Sequence, residues 1–314
     1  MKKQEPLVSV GLMTYKRTEG LKVALKSITS QTYKNLEIIV SENYCPGFGL
    51  KKKIIQEFLK KDKRIVYYQH NPNKGIGFNF HFVLQKATGK YFMWAADDDT
   101  WAPSFISKLV RKLEKHPEAG VAMSGIEFFS QKNPSQLVRF LGQYNPNQKS
   151  IFGNFWAALH FPRSKYHFFI CGLFKRKLLQ KTFPQLSCAD YGSDIASIIF
   201  FSLIAPFQYV NKILYFREAW DEFRFSKEKP DESSIFNWWR EIARIFKIAS
   251  AILFSPQILW YRKLYIPIEL FVLLFKSLMH LIIAFLWYII IFLNWLAIKI
   301  NKLRDFLLRY IWPK

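Results

Sequence analysis

Short apolar runs of strand character alternate with amphipathic helical patterns through the first hundred residues of the chain. The strand-like runs begin near four residues: Leu7, Leu36, Ile65 and Tyr91. Between the first two runs, apolar residues recur at spacings of three and four across Leu21–Ile28, which indicates an amphipathic helix. Strands that alternate with helices of ten or more residues predict an α/β fold, with a mostly parallel sheet and helices on both faces.

Polar side chains stand at the points where three of these strands end. Thr14 and Tyr15 follow the first strand, and Glu42 follows the second. Three consecutive acids, Asp97–Asp99, follow the fourth. In open parallel sheets, ligands bind outside the carboxyl ends of the strands. We therefore expect these side chains to converge on one crevice.

The three consecutive aspartates allow two interpretations. Adjacent carboxylates repel one another and a strand end does not neutralise them, so a hard divalent cation with oxygen ligands is one partner that they predict. The alternative is a solvated acidic turn, in which Asp99 or Thr100 caps a helix that begins at Pro103. The expected convergence of the other strand ends favours the cation site.

The charge balance predicts an anionic partner. The chain has 46 basic and 23 acidic residues, which gives a formal charge of +23. Nucleic acid, anionic lipid and a phosphate-rich substrate all satisfy this charge. The basic residues lie between apolar runs in a chain that is 18% aromatic, and this interleaving favours lipid headgroups and a nucleotide over a DNA groove. A nucleic-acid-binding protein is the alternative that the charge alone motivates.

Two further features bear on the cellular compartment. The three cysteines are scattered and odd in number, which favours a reducing environment. The apolar stretch before Thr14 is too short for the core of a signal peptide, so no export signal is expected.

Further motifs accompany the strand ends at regular spacing. They occupy five segments: Val8–Arg17, Ser27–Tyr33, Leu36–Asn43, Asn73–Gly75 and Ala96–Pro103. The second of these reads Ser-Ile-x-x-Gln-x-Tyr, and the fourth reads Asn-x-Gly. In this combination the chain resembles the family 2 glycosyltransferases over about residues 7–217. The resemblance implies the A-type glycosyltransferase fold, a Rossmann-like, mostly parallel sheet flanked by helices that binds a nucleotide-sugar.

The resemblance also implies a chemistry. It predicts inverting transfer of a sugar from a nucleotide-diphosphate donor, with UDP the expected nucleotide, to a hydroxyl of a glycan or lipid-linked acceptor. Mg²⁺ or Mn²⁺ would be the cofactor, with Asp98 the leading metal ligand and Asp99 the second, although the order among the three acids stays open. Donor contacts fall on seven residues: Thr14, Tyr15, Arg17, Glu42, Asn73, Gly75 and Asp97.

An acidic residue at the start of a later helix is the catalytic base in the family that the chain resembles. Asp194, within Gly192-Ser193-Asp194, matches that place best, and Asp190 is the alternative. Either residue has a second interpretation as a helix cap, since aspartate is favoured there.

The sequence departs from the family pattern at four positions. Met13 replaces a proline, Lys16 an asparagine, Ala96 an aspartate, and Trp220 stands near the place of a histidine. The departures at Met13, Ala96 and Trp220 motivate a rival interpretation, in which the protein is a catalytically degenerate, membrane-docked binding or scaffold protein.

The C-terminal third predicts a membrane-associated region. After a charged linker at residues 226–234, aromatic and basic residues alternate, so we expect a catalytic domain at 1–225 and a helical region at 226–314. Residues 277–298 carry no Asp, Glu, Lys or Arg. A helix of that length would span about 33 Å and cross a hydrocarbon core of ~30 Å. Basic residues flank both ends, which disfavours a single crossing, so spanning and in-plane attachment both stay open.

The expected location is therefore the anionic surface of a membrane, with the catalytic domain on its cytoplasmic side. Such a location favours a role in the synthesis of cell-envelope or surface glycans.

Overall fold

The computed structural model describes most of the N-terminal two thirds of the chain and short pieces beyond it. The described residues are 4–45, 48–129, 138–140, 167–182, 193–218, 250, 252–256, 258–263 and 299. The chain divides into two compact units, one of Met1–Lys229 with Phe254–Ile258 and one of Pro230–Leu253 with Leu259–Lys314. The predicted boundary between residues 225 and 226 lies outside the described residues.

The first half of the fold is the predicted parallel α/β arrangement. Its strands are β1 Val8–Thr14, β2 Leu36–Asn43, β3 Ile65–His70 and β4 Tyr91–Ala96. The helices between them are α1 Thr18–Thr29, α2 Phe48–Lys61 and α3 Ile76–Lys86. The strands lie in the order β3-β2-β1-β4 and pair in parallel. Their carboxyl ends therefore share one edge of the sheet.

The second half makes the sheet mixed. Its strands are β5 Asp99–Trp101, β6 Val121–Phe129, β7 Val138–Phe140, β8 Leu173–Lys175 and β9 Phe207–Glu218. Its helices are α4 Phe105–Lys115, a 3-10 helix at His167–Cys171, α5 Arg176–Thr182 and α6 Ser193–Ser202. Within the described residues the sheet has nine strands, in the order β3-β2-β1-β4-β8-β6-β9-β5 with β7 beside β6. Strand β8 runs antiparallel to β4 and β6, and β5 runs antiparallel to β9.

The alternative interpretation of the acidic turn, as a helix cap, is wrong. Strand β5 pairs with β9 where the alternative interpretation placed a helix cap, and α4 begins only after Ser104. Asp99 and Thr100 therefore belong to the sheet and do not cap a helix. After Gly172 the chain forms β8, a short strand that closes the sheet between β4 and β6.

The core lies where the helices cover the sheet. Val8, Val10 and Leu12 of β1 have no exposed surface, since a central parallel strand is covered on both faces. Helix α4 buries one apolar face through five residues: Phe105, Ile106, Leu109, Val110 and Leu113. The carboxyl ends of β1, β2 and β4 leave this core at one edge of the sheet, which we call the rim.

The second unit contributes a short described helix, α7, at Trp260–Lys263. Among the helices in the described ranges, none has both the length and the hydropathy that a membrane crossing needs. Residues 277–298, where a crossing or an in-plane attachment is predicted, lie outside the described residues.

Candidate active site at the carboxyl ends of the strands

The ends of β1 and β4 meet at a buried carboxylate. Met13 pairs with Ala96, so the residues that follow the two strands lie side by side. Thr14 Oγ1 donates a hydrogen bond of 2.7 Å to Asp97 Oδ2, and the backbone N–H of Tyr15 donates to the same oxygen at 3.3 Å. Burial raises the pKa of the Asp97 carboxyl, and the hydrogen bond from Thr14 opposes that shift.

A cation from the loop after β1 neutralises Asp98. Its Oδ2 forms an ion pair with an Nη atom of Arg17, whose side chain is 30% exposed while that of Asp98 is 7% exposed. Nearby, Tyr15 is 39% exposed, and Nζ of Lys16 lies 5.2 Å from the centre of its ring. An accessible aromatic ring beside cations is suited to a nucleobase and its phosphates.

Gly20 permits the close approach of α1 to the acidic turn. A Cβ atom at this position would lie 2.2 Å from the backbone oxygen of Asp97. The first turn of α1 therefore packs directly against the backbone of the turn, and a side chain at residue 20 would displace one or the other.

Glu42, predicted as a donor contact, is fully buried beneath the rim. Its Oε1 lies 2.9 Å from Nζ of Lys51, and its Oε2 accepts a hydrogen bond from the hydroxyl of Tyr67. Glu42 Oε1 accepts no hydrogen bond within the described residues, so its contact with the ammonium is ionic. Burial raises the pKa of the Tyr67 hydroxyl, and the hydrogen bond to Glu42 raises it further.

Lys51 links the Glu42 carboxylate to the backbone of Tyr15. Its ammonium also donates a hydrogen bond to the backbone oxygen of Tyr15, and Cys45 Sγ lies 2.7 Å from the same oxygen. The Glu42 carboxylate thus acts on the position of Tyr15 through Lys51, rather than through direct exposure at the rim.

The loop of Asn73 and Gly75 is tied to the end of β2. Gly75 has a φ of +84°, a left-handed conformation that favours glycine, and its N–H donates to Asn73 Oδ1 at 2.8 Å. Asn43 Nδ2 donates to the backbone oxygen of Gly75 at 2.9 Å, and the N–H of Lys74 donates to Asn43 Oδ1 at 3.2 Å. The predicted donor loop therefore stands at the same edge as the ends of β1 and β2.

Asp99 is engaged by strand β9. Its Oδ2 accepts a 2.6 Å hydrogen bond from the Tyr215 hydroxyl, and its Oδ1 lies 3.8 Å from Arg217 Nε. Only 2% of Asp99 is exposed. Burial raises its pKa to about 7, against the opposing charge of Arg217 and with a further rise from the charge of Asp98.

These contacts decide which carboxylates suit a divalent cation. Mg²⁺ is commonly held by one or two carboxylates together with substrate phosphates and water, and Asp98 at the rim fits that mode. Asp99 would first have to leave Tyr215. Within the described residues no group of three or more His, Cys, Asp and Glu side chains is arranged to hold a metal. The residues therefore fit a cation that a diphosphate helps to hold.

The structure describes only one of the two candidate catalytic bases, and only its backbone. Asp190 lies outside the described residues, and Asp194 belongs to the first turn of α6, where the structure describes the backbone. Their roles stay predictions. Trp220 also lies outside the described residues.

The sequence patterns do not single out three residues that complete the site: Lys51, Tyr67 and Tyr215. Lys51 carries a usable signal, because it stands four residues before the buried Ile55 and so shares the inner face of α2. A lysine at such a position requires a buried anion. The two tyrosines carry no local signal, since aromatic residues in strands are common.

The fold and the rim accord with one protein family. The sequence profile described as Glycosyl transferase family 2 matches residues 9–183, which is more than half of the chain. The protein therefore belongs to glycosyl transferase family 2.

Individual relatives match shorter stretches. An uncharacterized glycosyltransferase of Haemophilus influenzae is 35% identical over 127 residues, covering 40% of this chain and 39% of the relative. The Campylobacter jejuni GalNAc(5)-diNAcBac-PP-undecaprenol beta-1,3-glucosyltransferase is 34% identical over 108 residues, 34% of each protein. The chain thus spans well under half the length of these curated relatives.

A solved structure shares the fold. Residues 1–349 of S. aureus TarS, in complex with UDP-GlcNAc, align with a TM-score of 0.57 and 14% identity. The alignment covers 83% of this chain and 70% of TarS 1–349. At this identity the likeness establishes a common fold, and the mixed α/β sheet with flanking helices is confirmed.

Proposed function

We propose that the protein is an inverting glycosyltransferase that moves a sugar from a UDP-sugar to a hydroxyl acceptor. The observation that carries the proposal is the meeting of Thr14, Tyr15, Asp97 and the Arg17–Asp98 pair at one sheet edge. The TarS structure, which has the same fold, contains UDP-GlcNAc, and this supports uridine as the nucleotide.

Donor binding is shared among the three loops of the rim. The exposed ring of Tyr15 stacks on the base, and the buried pair of Glu42 and Lys51 holds the Tyr15 backbone in place. Asp97 accepts a hydrogen bond from the ribose through its second oxygen. The loop of Asn73 and Gly75 closes the side of the base pocket.

Asp98 is the carboxylate that would hold a divalent cation, Mg²⁺ or Mn²⁺, with Asp99 a second ligand only if it leaves Tyr215. A cation bound there would supply Lewis-acid stabilisation of the leaving diphosphate. Arg17 supplies a further positive charge at the same place.

Asp194 is the proposed general base. It removes the proton of the acceptor hydroxyl as that oxygen attacks the anomeric carbon from the face opposite the nucleotide. One carbon–oxygen bond forms as the bond to the phosphate oxygen breaks, so UDP leaves and the configuration inverts. Asp190 is the alternative base.

The test separates donor binding from transfer. Calorimetry should detect UDP binding to the full chain, and Asp194→Asn should abolish transfer while leaving the UDP affinity within about twofold, since a base acts in the transition state. Asp190→Asn is the matched comparison and should retain transfer. A collapse of UDP affinity in Asp194→Asn, or an absence of donor turnover with Mg²⁺ and Mn²⁺, would contradict the proposal and favour the scaffold.

We also propose that the second unit attaches the protein to the cytoplasmic side of a membrane. Around α7, Trp260 is 73% exposed beside the exposed Leu259 and Tyr261, and Arg262 and Lys263 follow directly. Aromatic rings next to cations suit the interface of an anionic bilayer. The Campylobacter relative is named for a PP-undecaprenol compound, which supports a lipid-linked acceptor.

Vesicle flotation tests this attachment. The full chain should float with vesicles that contain phosphatidylglycerol and remain behind with pure phosphatidylcholine. Trp260→Ala with Tyr261→Ala should reduce the bound fraction several-fold, because interfacial aromatic rings contribute much of the apolar anchoring. The control is Val23→Ala, which removes an exposed apolar side chain from α1. Equal binding to both kinds of vesicle would overturn the electrostatic part of the proposal.

A further inference from the structure

We propose that Arg17 is an internal counterion that pairs with Asp98 before the donor binds and moves to the donor diphosphate when nucleotide and divalent cation bind. The inference rests on the proposed function, because it assigns the diphosphate as the group that draws Arg17 away. It makes the binding of cation and nucleotide strongly interdependent.

The first step of the argument is that the three adjacent acids have three different partners. Asp97 accepts hydrogen bonds from Thr14 and from the backbone of Tyr15. Asp99 is held by Tyr215 and lies near Arg217. Asp98 is paired with Arg17, a group that belongs to the rim itself.

The second step is that Arg17 shields Asp98 from ligands. The Asp98 side chain is almost buried, whereas the side chain of Arg17 keeps nearly a third of its surface exposed. Arg17 is the N-cap residue of α1, in an extended backbone conformation and without a side-chain capping bond. The guanidinium thus contacts Asp98 Oδ2, and a cation that binds this oxygen must displace it.

The third step is that a diphosphate offers Arg17 a better partner. A guanidinium binds phosphate oxygens through paired, charge-assisted hydrogen bonds. Moving Arg17 from carboxylate to phosphate exchanges one ion pair for another and frees Asp98 for the cation. Because coupling between two ligands is reciprocal, the cation must strengthen nucleotide binding by the same factor as the nucleotide strengthens cation binding.

The experiment measures Mn²⁺ binding to the full chain by electron paramagnetic resonance, without nucleotide and with saturating UDP. We expect Arg17→Gln to bind Mn²⁺ alone about tenfold more tightly than wild type, because the competing charge is gone, a change within the usual range of site coupling. The enhancement of Mn²⁺ binding by UDP should shrink by about the same factor. Thermal melting checks that the variant is folded.

Two control variants isolate the cause. Arg64→Gln removes a comparably exposed arginine that pairs with Asp62 in a turn before β3, so it reproduces the loss of net charge away from the rim. Its Mn²⁺ affinity should equal that of wild type. Arg17→Lys keeps the charge and should bind Mn²⁺ alone within about twofold of wild type, since the competition is electrostatic.

The outcomes separate this inference from the proposed function. Unchanged Mn²⁺ affinity in Arg17→Gln, or an equal gain in Arg64→Gln, overturns the counterion role whatever UDP does. Absence of Mn²⁺ binding in both wild type and Arg17→Gln overturns it as well. A wild-type chain that binds Mn²⁺ but never UDP contradicts the proposed function, while the nucleotide-free comparison still decides whether Arg17 competes for Asp98.

Discussion

Two buried carboxylates, Glu42 on β2 and Asp99 on β5, illustrate opposite ways of burying an acid. Each accepts a hydrogen bond from a tyrosine hydroxyl. Glu42 has the ammonium of Lys51 at 2.9 Å, whereas the nearest cation to Asp99, Arg217, is 3.8 Å away. The two acids also share a feature, because Glu42 Oε1 and Asp99 Oδ1 each accept no hydrogen bond within the described residues.

The difference in cation distance determines how closely each buried charge is compensated. A buried charge requires a close partner to offset its desolvation. Glu42 has such a partner, and its pairing positions Tyr15. Asp99 lacks one at close range, so burial raises its pKa to about 7 and its charge changes near neutral pH.

The largest expected effect comes from removing the cation of the well-paired acid. Lys51→Met leaves Glu42 buried without a counterion and should lower the free energy of unfolding by about 3–5 kcal/mol. Denaturant unfolding measures this loss. Adding Glu42→Gln should restore most of it, and Lys52→Met, on the exposed side of α2, should change stability by less than about 0.5 kcal/mol. A mild Lys51→Met phenotype would break the comparison.

The second prediction concerns pH. The pKa of Asp99 rises from 3.8 to about 7 on folding, so the folded protein binds the extra proton and loses stability as pH increases through this window. Asp99→Asn removes that loss. Its free energy of unfolding relative to wild type should therefore increase by roughly 3–4 kcal/mol between pH 4 and 7. Melting curves at several pH values measure the difference.

Asp62→Asn is the control of opposite sign for this pH series. The hydrogen bond from Arg64 lowers the pKa of Asp62, so wild type gains stability from this acid above its ordinary pKa and loses it as pH falls. Asp62→Asn should therefore be less stable than wild type at neutral pH. If Asp99→Asn behaves in the same way, Asp99 is a paired acid and the contrast with Glu42 disappears.

A smaller effect is expected from moving the acidic turn itself. Gly20→Ala places a methyl group against the backbone oxygen of Asp97 and should cost about 1–3 kcal/mol, since overpacking forces the backbone to shift. UDP affinity should fall as well, because Asp97 and Asp98 move together. Gly49→Ala, where no atom lies within 4 Å of the added methyl, should leave UDP binding unchanged.

The smallest expected effect on stability comes from removing the tyrosine hydroxyls that donate to Glu42 and Asp99. Tyr67→Phe should cost about 1.5 kcal/mol, the lower end for a hydrogen bond to a charged group, because Lys51 remains beside Glu42. Tyr215→Phe removes a hydrogen bond that lowers the pKa of Asp99, so its stability loss should grow as pH rises from 6 to 8. Matching pH profiles for the two variants would show that cation distance is not the deciding variable.

The parallel half of the fold could be predicted from the sequence because its signals are local. Each strand of β1–β4 contains a short apolar stretch, and helix α1 shows the spacing of an amphipathic helix. Strand β5 could not be predicted, since Asp99–Trp101 is three residues long and exists only because β9 lies beside it. Likewise β8 is defined by the gap between β4 and β6.

The candidate site also has parts that local sequence signals predict and parts that depend on tertiary contacts. The sequence places polar residues at the ends of β1, β2 and β4, and parallel pairing alone brings those ends together. It does not reveal that Glu42 lies beneath the rim, because that depends on Lys51 from a different helix. The base Asp194 is predicted from a resemblance, and its role stays a prediction.

The amino-acid sequence by itself determined the α/β class, the shared edge of the strand ends and the run of three acids at that edge. Only the tertiary structure decided what each acid does. Asp97 bonds to Thr14, 83 residues earlier, and Asp99 bonds to Tyr215, 116 residues later, while Asp98 pairs with Arg17. The physical reason is that the charge state and the access of a carboxylate depend on groups brought beside it by folding, and identical neighbours in sequence acquire different surroundings.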